Sequence, residues 1–167
     1  MPKQTPVLIS PAVFPEDSCA LKAIISEYVG WLDMDLSYRG FAQEMDSFDQ
    51  LFTLPSGFFL MAKAAGEIAG CVGLLRHTPD TAEVKRLYVR PGYRGAQLGK
   101  KLMAGLVERA IGLGYQRLIL DAVPQTHFAQ RLYRSLGFEE IDPYYAKPVS
   151  GTRFFGLTLS TQPALEG

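Results

Sequence analysis

The sequence predicts a single mixed α/β domain over residues 1–167, built on a central, largely antiparallel sheet with one parallel strand pair and helices flanking it. Three observations carry this. Residues 57–89 read as three short strands joined by tight turns, the pattern of an antiparallel meander. Residues 96–113 then switch to a helical period and residues 115–122 return to a strand. A helix between two such strands implies a crossover, hence a parallel pair. Finally, a 167-residue chain with 47% hydrophobic and 20% charged residues has an ordinary globular composition. A chain of this length can bury roughly 70% of its unfolded surface without metals or disulfides.

In chain order, Val7 to Ile9 is a short strand. Leu21, Ile24, Ile25, Tyr28, Val29 and Leu32 recur at three- and four-residue spacing, so residues 17–33 form an amphipathic helix. A weaker helical pattern covers 38–50, and Pro55-Ser56-Gly57 breaks it. Phe58 to Lys63 and Ile68 to Arg76 make a hairpin, and Thr78-Pro79-Asp80 turns the chain into a third strand over 82–89. The helix from Ala96 to Leu113 shows one apolar stripe of Leu98, Leu102, Leu106, Ala110 and Leu113. Tyr115 to Ala122 is a strand, Thr126 to Leu136 a short helix, and Phe138 to Ile141 and Phe154 to Leu159 are the closing strands.

Composition excludes several functions. With 17 basic and 17 acidic side chains the chain is neutral, which argues against a general nucleic-acid binder. Its charges are unevenly placed. Eight acidic groups fall in residues 1–50, and eight basic ones fall in 85–117 against Glu108 alone. That suits either two solvated faces or an anionic ligand on the second half. Cys19 and Cys71 are too few for a disulfide framework or a zinc site, so a reducing, cytoplasmic protein without a metal is expected. Neither a basic leader nor an uncharged apolar stretch of about 18 residues is present, so no membrane partner is expected.

The stretch from Glu83 to Leu106 organises the rest. A strand, a glycine-bearing turn and a helix start bring unpaired backbone N–H groups and the positive end of a helix dipole to one place, which suits a phosphate. Spacing sets aside two familiar sites. A P-loop needs a glycine five residues before Gly99, where Arg94 stands, and a hydroxyl where Lys101 stands. The dinucleotide pattern is absent as well, since the glycines here are Gly92, Gly95 and Gly99.

VKRLYVRPGYRGAQLGKKLM followed by AQRLYRSLGFEEI resembles the GNAT superfamily of acetyl-coenzyme A dependent N-acetyltransferases over roughly residues 57–159. The closing DPYYAKPVSGTRFFGLTL is similar to a group of small bacterial GNAT proteins. The resemblance implies that the parallel strands splay apart and that acetyl-coenzyme A is the co-substrate. It places the pantetheine arm along the Leu87, Tyr88 and Val89 backbone, with Val89 N–H as an oxyanion donor. The pyrophosphate turn falls on Arg94, Gly95, Ala96, Gln97, Leu98 and Gly99, with Lys100 following. Gln97 departs from the family by occupying the place of a signature glycine. An outward side chain would leave the amides usable, and an inward one would crowd the phosphate.

The same resemblance implies Tyr133 as the general acid for the departing thiolate and Glu83 as a general base, direct or through water. A base is useful because an amine of pKa about 10.4 is only about one part in 2,500 neutral at pH 7. Each residue has a plain alternative: Tyr133 as a packed tyrosine, and Glu83 as a strand-end carboxylate or a partner of Lys85 or Arg86. Thr126 stands near where the family has a pantetheine-binding Asn, and His127 and His77 read as cap or surface residues. Trp31, Phe41, Tyr144 and Tyr145 are expected either to line the acceptor pocket or to belong to the core. The expected reaction is direct transfer of acetyl from acetyl-coenzyme A to a primary amine of a small molecule or peptide in a ternary complex. The alternative is a non-catalytic coenzyme A binding module or sensor. The partner is then that amine, without nucleic acid or membrane, and a homodimer is an open arrangement.

Overall fold

A computed structural model describes residues 6–94 and 97–159. Among the described residues, seven strands form one sheet: β1 (Val7–Pro11), β2 (Gly57–Ala64), β3 (Glu67–Thr78), β4 (Thr81–Val89), β5 (Arg117–Ala122), β6 (Glu139–Ile141) and β7 (Arg153–Thr158). Their order is β1-β2-β3-β4-β5-β7-β6. Every neighbouring pair is antiparallel except β4 and β5, as the crossover requires.

The β4–β5 pairing is short. It joins Thr81 to Arg117, Ala82 to Leu118 and Glu83 to Ile119 and then stops. Beyond Glu83 the two strands part, β4 staying with β3 and β5 with β7. A register shift opposite Cys71 and Gly73 accompanies this, with Arg86 at φ +60°. The bulge changes which face β4 presents: Ala82 and Val84 pack on one side, while Tyr88 packs on the other.

Two apolar layers cover the sheet. On one face α4 (Leu98–Gly112) lays Leu98, Leu102, Met103, Leu106 and Ala110 against β1 to β4, and α5 (His127–Ser135) contributes Tyr133. On the other face α1 (Ser18–Leu32) buries Leu21, Ile24 and Ile25 against Phe48, Phe59 and Cys71. The weak helical pattern over 38–50 resolves into three pieces: a 3-10 turn at Ser37–Arg39, α2 (Phe41–Asp46) and α3 (Phe48–Leu51). Gly40, at φ +71°, separates the first two, because a left-handed residue cannot continue a right-handed helix. Likewise α4 starts at Leu98 rather than Ala96, because Gln97 sits at φ +59°.

Candidate active site

Where β4 and β5 part, a cavity of about 460 Å³ opens, walled by Tyr28, Trp31, Leu87, Tyr88, Val89, Arg94, Gln97, Leu98, Gly99, Thr126, Phe128, Ala129 and Leu132. Its floor is the free end of β4, and its two banks are the starts of α4 and α5. The banks stand close at Gly99, where an added Cβ would come within 3.2 Å of Leu132 Cδ2. At the mouth, Gln97 holds the left-handed backbone that a glycine adopts freely, with its side chain exposed. The N–H groups of Leu98, Gly99 and Lys100 belong to the first turn of α4, where no helical carbonyl precedes them. Arg94 donates Nε to the Val89 carbonyl at 3.0 Å, and its guanidinium lies 5.6 Å from the Trp31 ring and 5.8 Å from that of Tyr88. Gly95 and Ala96 lie outside the described residues.

A smaller cavity of about 60 Å³ adjoins the first and shares Tyr28, Leu87 and Thr126 with it as walls. Tyr133, Asp121, Arg39, Leu36 and Val123 are among its further walls. Tyr133 is buried against Phe138 and Phe155. Burial raises its phenol pKa, with Tyr28 and Asp121 adding to the effect, so it keeps its proton and stays a donor. Thr126 spends its hydroxyl proton on the Val123 carbonyl at 2.7 Å, which leaves it an acceptor only.

Behind this cavity lies a charged cluster that sequence reasoning found only in part. Arg39 donates Nη2 to Glu83 Oε2 at 2.9 Å and Nη1 to Asp121 Oδ2. Tyr144 donates to Glu83 Oε2 and Tyr145 to Asp121 Oδ2, each at 2.6 Å. The Arg39 guanidinium also lies 4.1 Å from the centre of the Tyr145 ring. Glu83 is buried, which by itself would raise its pKa, but Lys85, Arg39 and Tyr144 hold the carboxyl below the usual range. Nearby, Glu44 takes Lys85 at 2.8 Å and two bonds from Arg86. It too is depressed by those cations against the opposing effect of burial.

The predicted residues therefore fall in three places. Leu87, Tyr88, Val89, Arg94, Gln97, Gly99, Thr126 and Trp31 border the larger cavity, Tyr133 borders the smaller, and Glu83, Tyr144 and Tyr145 stand behind it. Phe41 lies apart, its ring 5.3 Å from the Arg86 guanidinium. Lys100 is exposed on α4, and His127 and His77 are exposed. Arg39 and Asp121 were not anticipated. Their pairing spans 82 residues and leaves no local pattern. The available signal was a carboxylate within the otherwise apolar strand Leu118 to Ala122.

Residues 25–138 match the Acetyltransferase (GNAT) family. The chain is 33% identical over 162 residues to an uncharacterized N-acetyltransferase of Schizosaccharomyces pombe, covering 96% of this chain and 99% of that one. A GNAT-family acetyltransferase structure from Staphylococcus aureus superposes with a TM-score of 0.78 at 21% identity, covering 93% of this chain and all (100%) of that one. A Salmonella typhimurium protein described as an acetyltransferase, solved with its cofactor acetyl-CoA, superposes with a TM-score of 0.66 at 22% identity. It covers 95% of this chain and 96% of that one, and both structural likenesses establish the fold.

Proposed function

This chain belongs to the GNAT acetyltransferase family, whose members transfer acyl groups from acetyl-coenzyme A, and we propose that it acetylates a primary amine of a small molecule or peptide by direct attack in a ternary complex. The observation that supports the reading is the adjacency of the two cavities, which share Tyr28, Leu87 and Thr126 as walls. The larger has mainly apolar walls that suit a pantetheine arm, and the smaller is bordered by Tyr133, whose phenol keeps its proton.

Acetyl-coenzyme A, when bound, supplies an activated acyl carbon and a thiolate leaving group. Residues Leu87 to Val89 would run along the pantetheine, and the first-turn N–H groups of Leu98, Gly99 and Lys100 would take the pyrophosphate. At the far end, Tyr133 donates a proton to the leaving sulfur. Direct attack, rather than an acyl-enzyme, is supported by the cysteines. Cys71 is buried with its thiol pushed up to about 12, chiefly by that burial, and neither it nor Cys19 borders either cavity.

Thiol release from acetyl-coenzyme A tests the reading, using a panel of polyamines, amino acids, aminoglycosides and peptide N-termini. Amine-dependent release with at least one class is expected. Micromolar binding of acetyl-coenzyme A without release for any amine would instead favour a coenzyme A sensor.

A further inference from the structure

We propose that Asp121, rather than Glu83, is the catalytic carboxylate that takes the proton from the acceptor amine. The inference rests on the acetyltransferase reading above and adds a residue to it. Placement carries it: Asp121 borders the smaller cavity together with Tyr133, whereas Glu83 does not border it.

The two carboxylates accept the same kinds of hydrogen bond, and exposure separates them: the Asp121 side chain is 20% exposed and that of Glu83 8%. Arg39 and Tyr145 both bond Asp121 through Oδ2, so Oδ1 carries neither of these bonds while the carboxylate is fixed in orientation. Glu83 is 6% exposed, and its Oε2 receives both Arg39 and Tyr144. Both carboxylates pair with Arg39, but of the three only Asp121 and Arg39 border the cavity, so Glu83 acts through the guanidinium. Glu83 is thus a positioning residue two bonds away from the acceptor. The charged and titratable groups facing Asp121 are Arg39, Glu83, Lys85, Tyr133, Tyr144 and Tyr145, with Tyr28 and Arg86 also on the cavity wall. The Asp121 charge also reaches the Tyr133 phenol, where it adds to the effect of burial, so base and acid face one space.

The step balances with these two groups. A free amine nitrogen bonds to the acyl carbon, the carbon–sulfur bond breaks, and its electron pair leaves on sulfur. The N–H proton passes to Asp121, directly or through one water, and the Tyr133 proton passes to sulfur. The proton on Asp121 then restores Tyr133, so amine and thioester become amide and thiol with no net proton change.

The test is the pH dependence of kcat/KM for the amine that the panel identifies. Rates are expressed per concentration of free amine, so that any acidic limb left belongs to the protein. Wild type should show one acidic limb. D121N should lose it, with kcat falling about 10²- to 10³-fold and KM for acetyl-coenzyme A staying within about threefold. E83Q should keep the limb while losing thermal stability. An acidic limb that survives in D121N, or one that E83Q alone removes, overturns the assignment. Should D121N fail to fold, D121E retains the ion pair and carries the test: its limb must move, and an unmoved limb overturns the proposal. Absence of turnover by the wild-type protein with every amine is a different result, which overturns the acetyltransferase reading itself.

Discussion

Glu83 and Asp121, on two strands that pair for three residues and then part, share a single guanidinium. Two carboxylates held this close would repel each other, and the Arg39 guanidinium between them offsets that repulsion by bonding both. Removing Arg39 is costly because Glu83 stays buried with its guanidinium partner gone. Arg39→Met should therefore lose about 3 kcal/mol of stability, measured by urea denaturation. Arg39→Lys should lose less, since it keeps the charge but not the fork that reaches both carboxylates. Equal stability of wild type and Arg39→Met would show that the cluster contributes nothing to the fold.

Acid should act through the same groups. Glu83 and Glu44 are both held below the usual carboxyl range by their cations, against the opposing effect of burial. A depressed carboxyl contributes stability that is fully present above its unfolded pKa, about 4.3. That stability is lost as pH falls through the folded value, because the unfolded chain binds the proton more readily. Unfolding free energy should fall from pH 6 toward pH 3, and Glu44→Gln should flatten that slope while lowering stability at pH 7. A slope unchanged in Glu44→Gln would place the acid sensitivity elsewhere.

Tyr133→Phe separates binding from chemistry. The ring packs against Phe138 and Phe155, and phenylalanine keeps that packing, so only the hydroxyl at the smaller cavity is removed. The expected result is a fall in kcat of about 10²-fold or more, with acetyl-coenzyme A affinity within about twofold. Because burial keeps the phenol protonated, the wild-type profile should show no alkaline limb from Tyr133 below pH 10. A Tyr133→Phe variant with wild-type turnover would leave the leaving sulfur without this donor.

Most of the fold was legible because its elements carry local signals. Short strand-forming runs bounded by tight turns mark β2 to β4, and the leucine stripe marks α4. The splay of β4 from β5 was not readable from periodicity, since pairing depends on which partner each strand prefers over its whole length. Nor was the Arg39 bridge, whose partners lie 44 and 82 residues away. Glu83 illustrates the boundary. Its position at the strand start was visible in the sequence, but whether it faced a cavity or a guanidinium depended on how residues 37–39 and the segment bearing Tyr144 fold over it.

Gln97 can be tested against the conformation it holds. A non-glycine residue in the left-handed region costs about 1 kcal/mol or more, and Gln97 holds that conformation in the turn before α4. Gln97→Gly removes both the strain and the side chain, while Gln97→Ala removes only the side chain. Gln97→Gly should be the more stable of the two by about 1 kcal/mol in thermal melts. Calorimetric titration should give Gln97→Gly an acetyl-coenzyme A affinity equal to or tighter than wild type. A clear loss of affinity would mean that the glutamine amide itself contacts the ligand.

Trp31 offers a direct report on cofactor binding because it is the one tryptophan in the chain. It is 44% exposed, borders the larger cavity, and stacks on Tyr28 with the Arg94 guanidinium nearby. A ligand filling that cavity takes water off the indole and shifts the Arg94 charge relative to the ring, and either change alters the emission. Titration with acetyl-coenzyme A should therefore give a saturable blue shift or intensity change. Tyr133→Phe should retain that signal with the same midpoint, because its hydroxyl borders only the smaller cavity. Trp31→Phe should lose the signal yet still bind by calorimetry. A silent titration under conditions where calorimetry detects binding would place the coenzyme away from this wall, and with it away from the parting of β4 and β5.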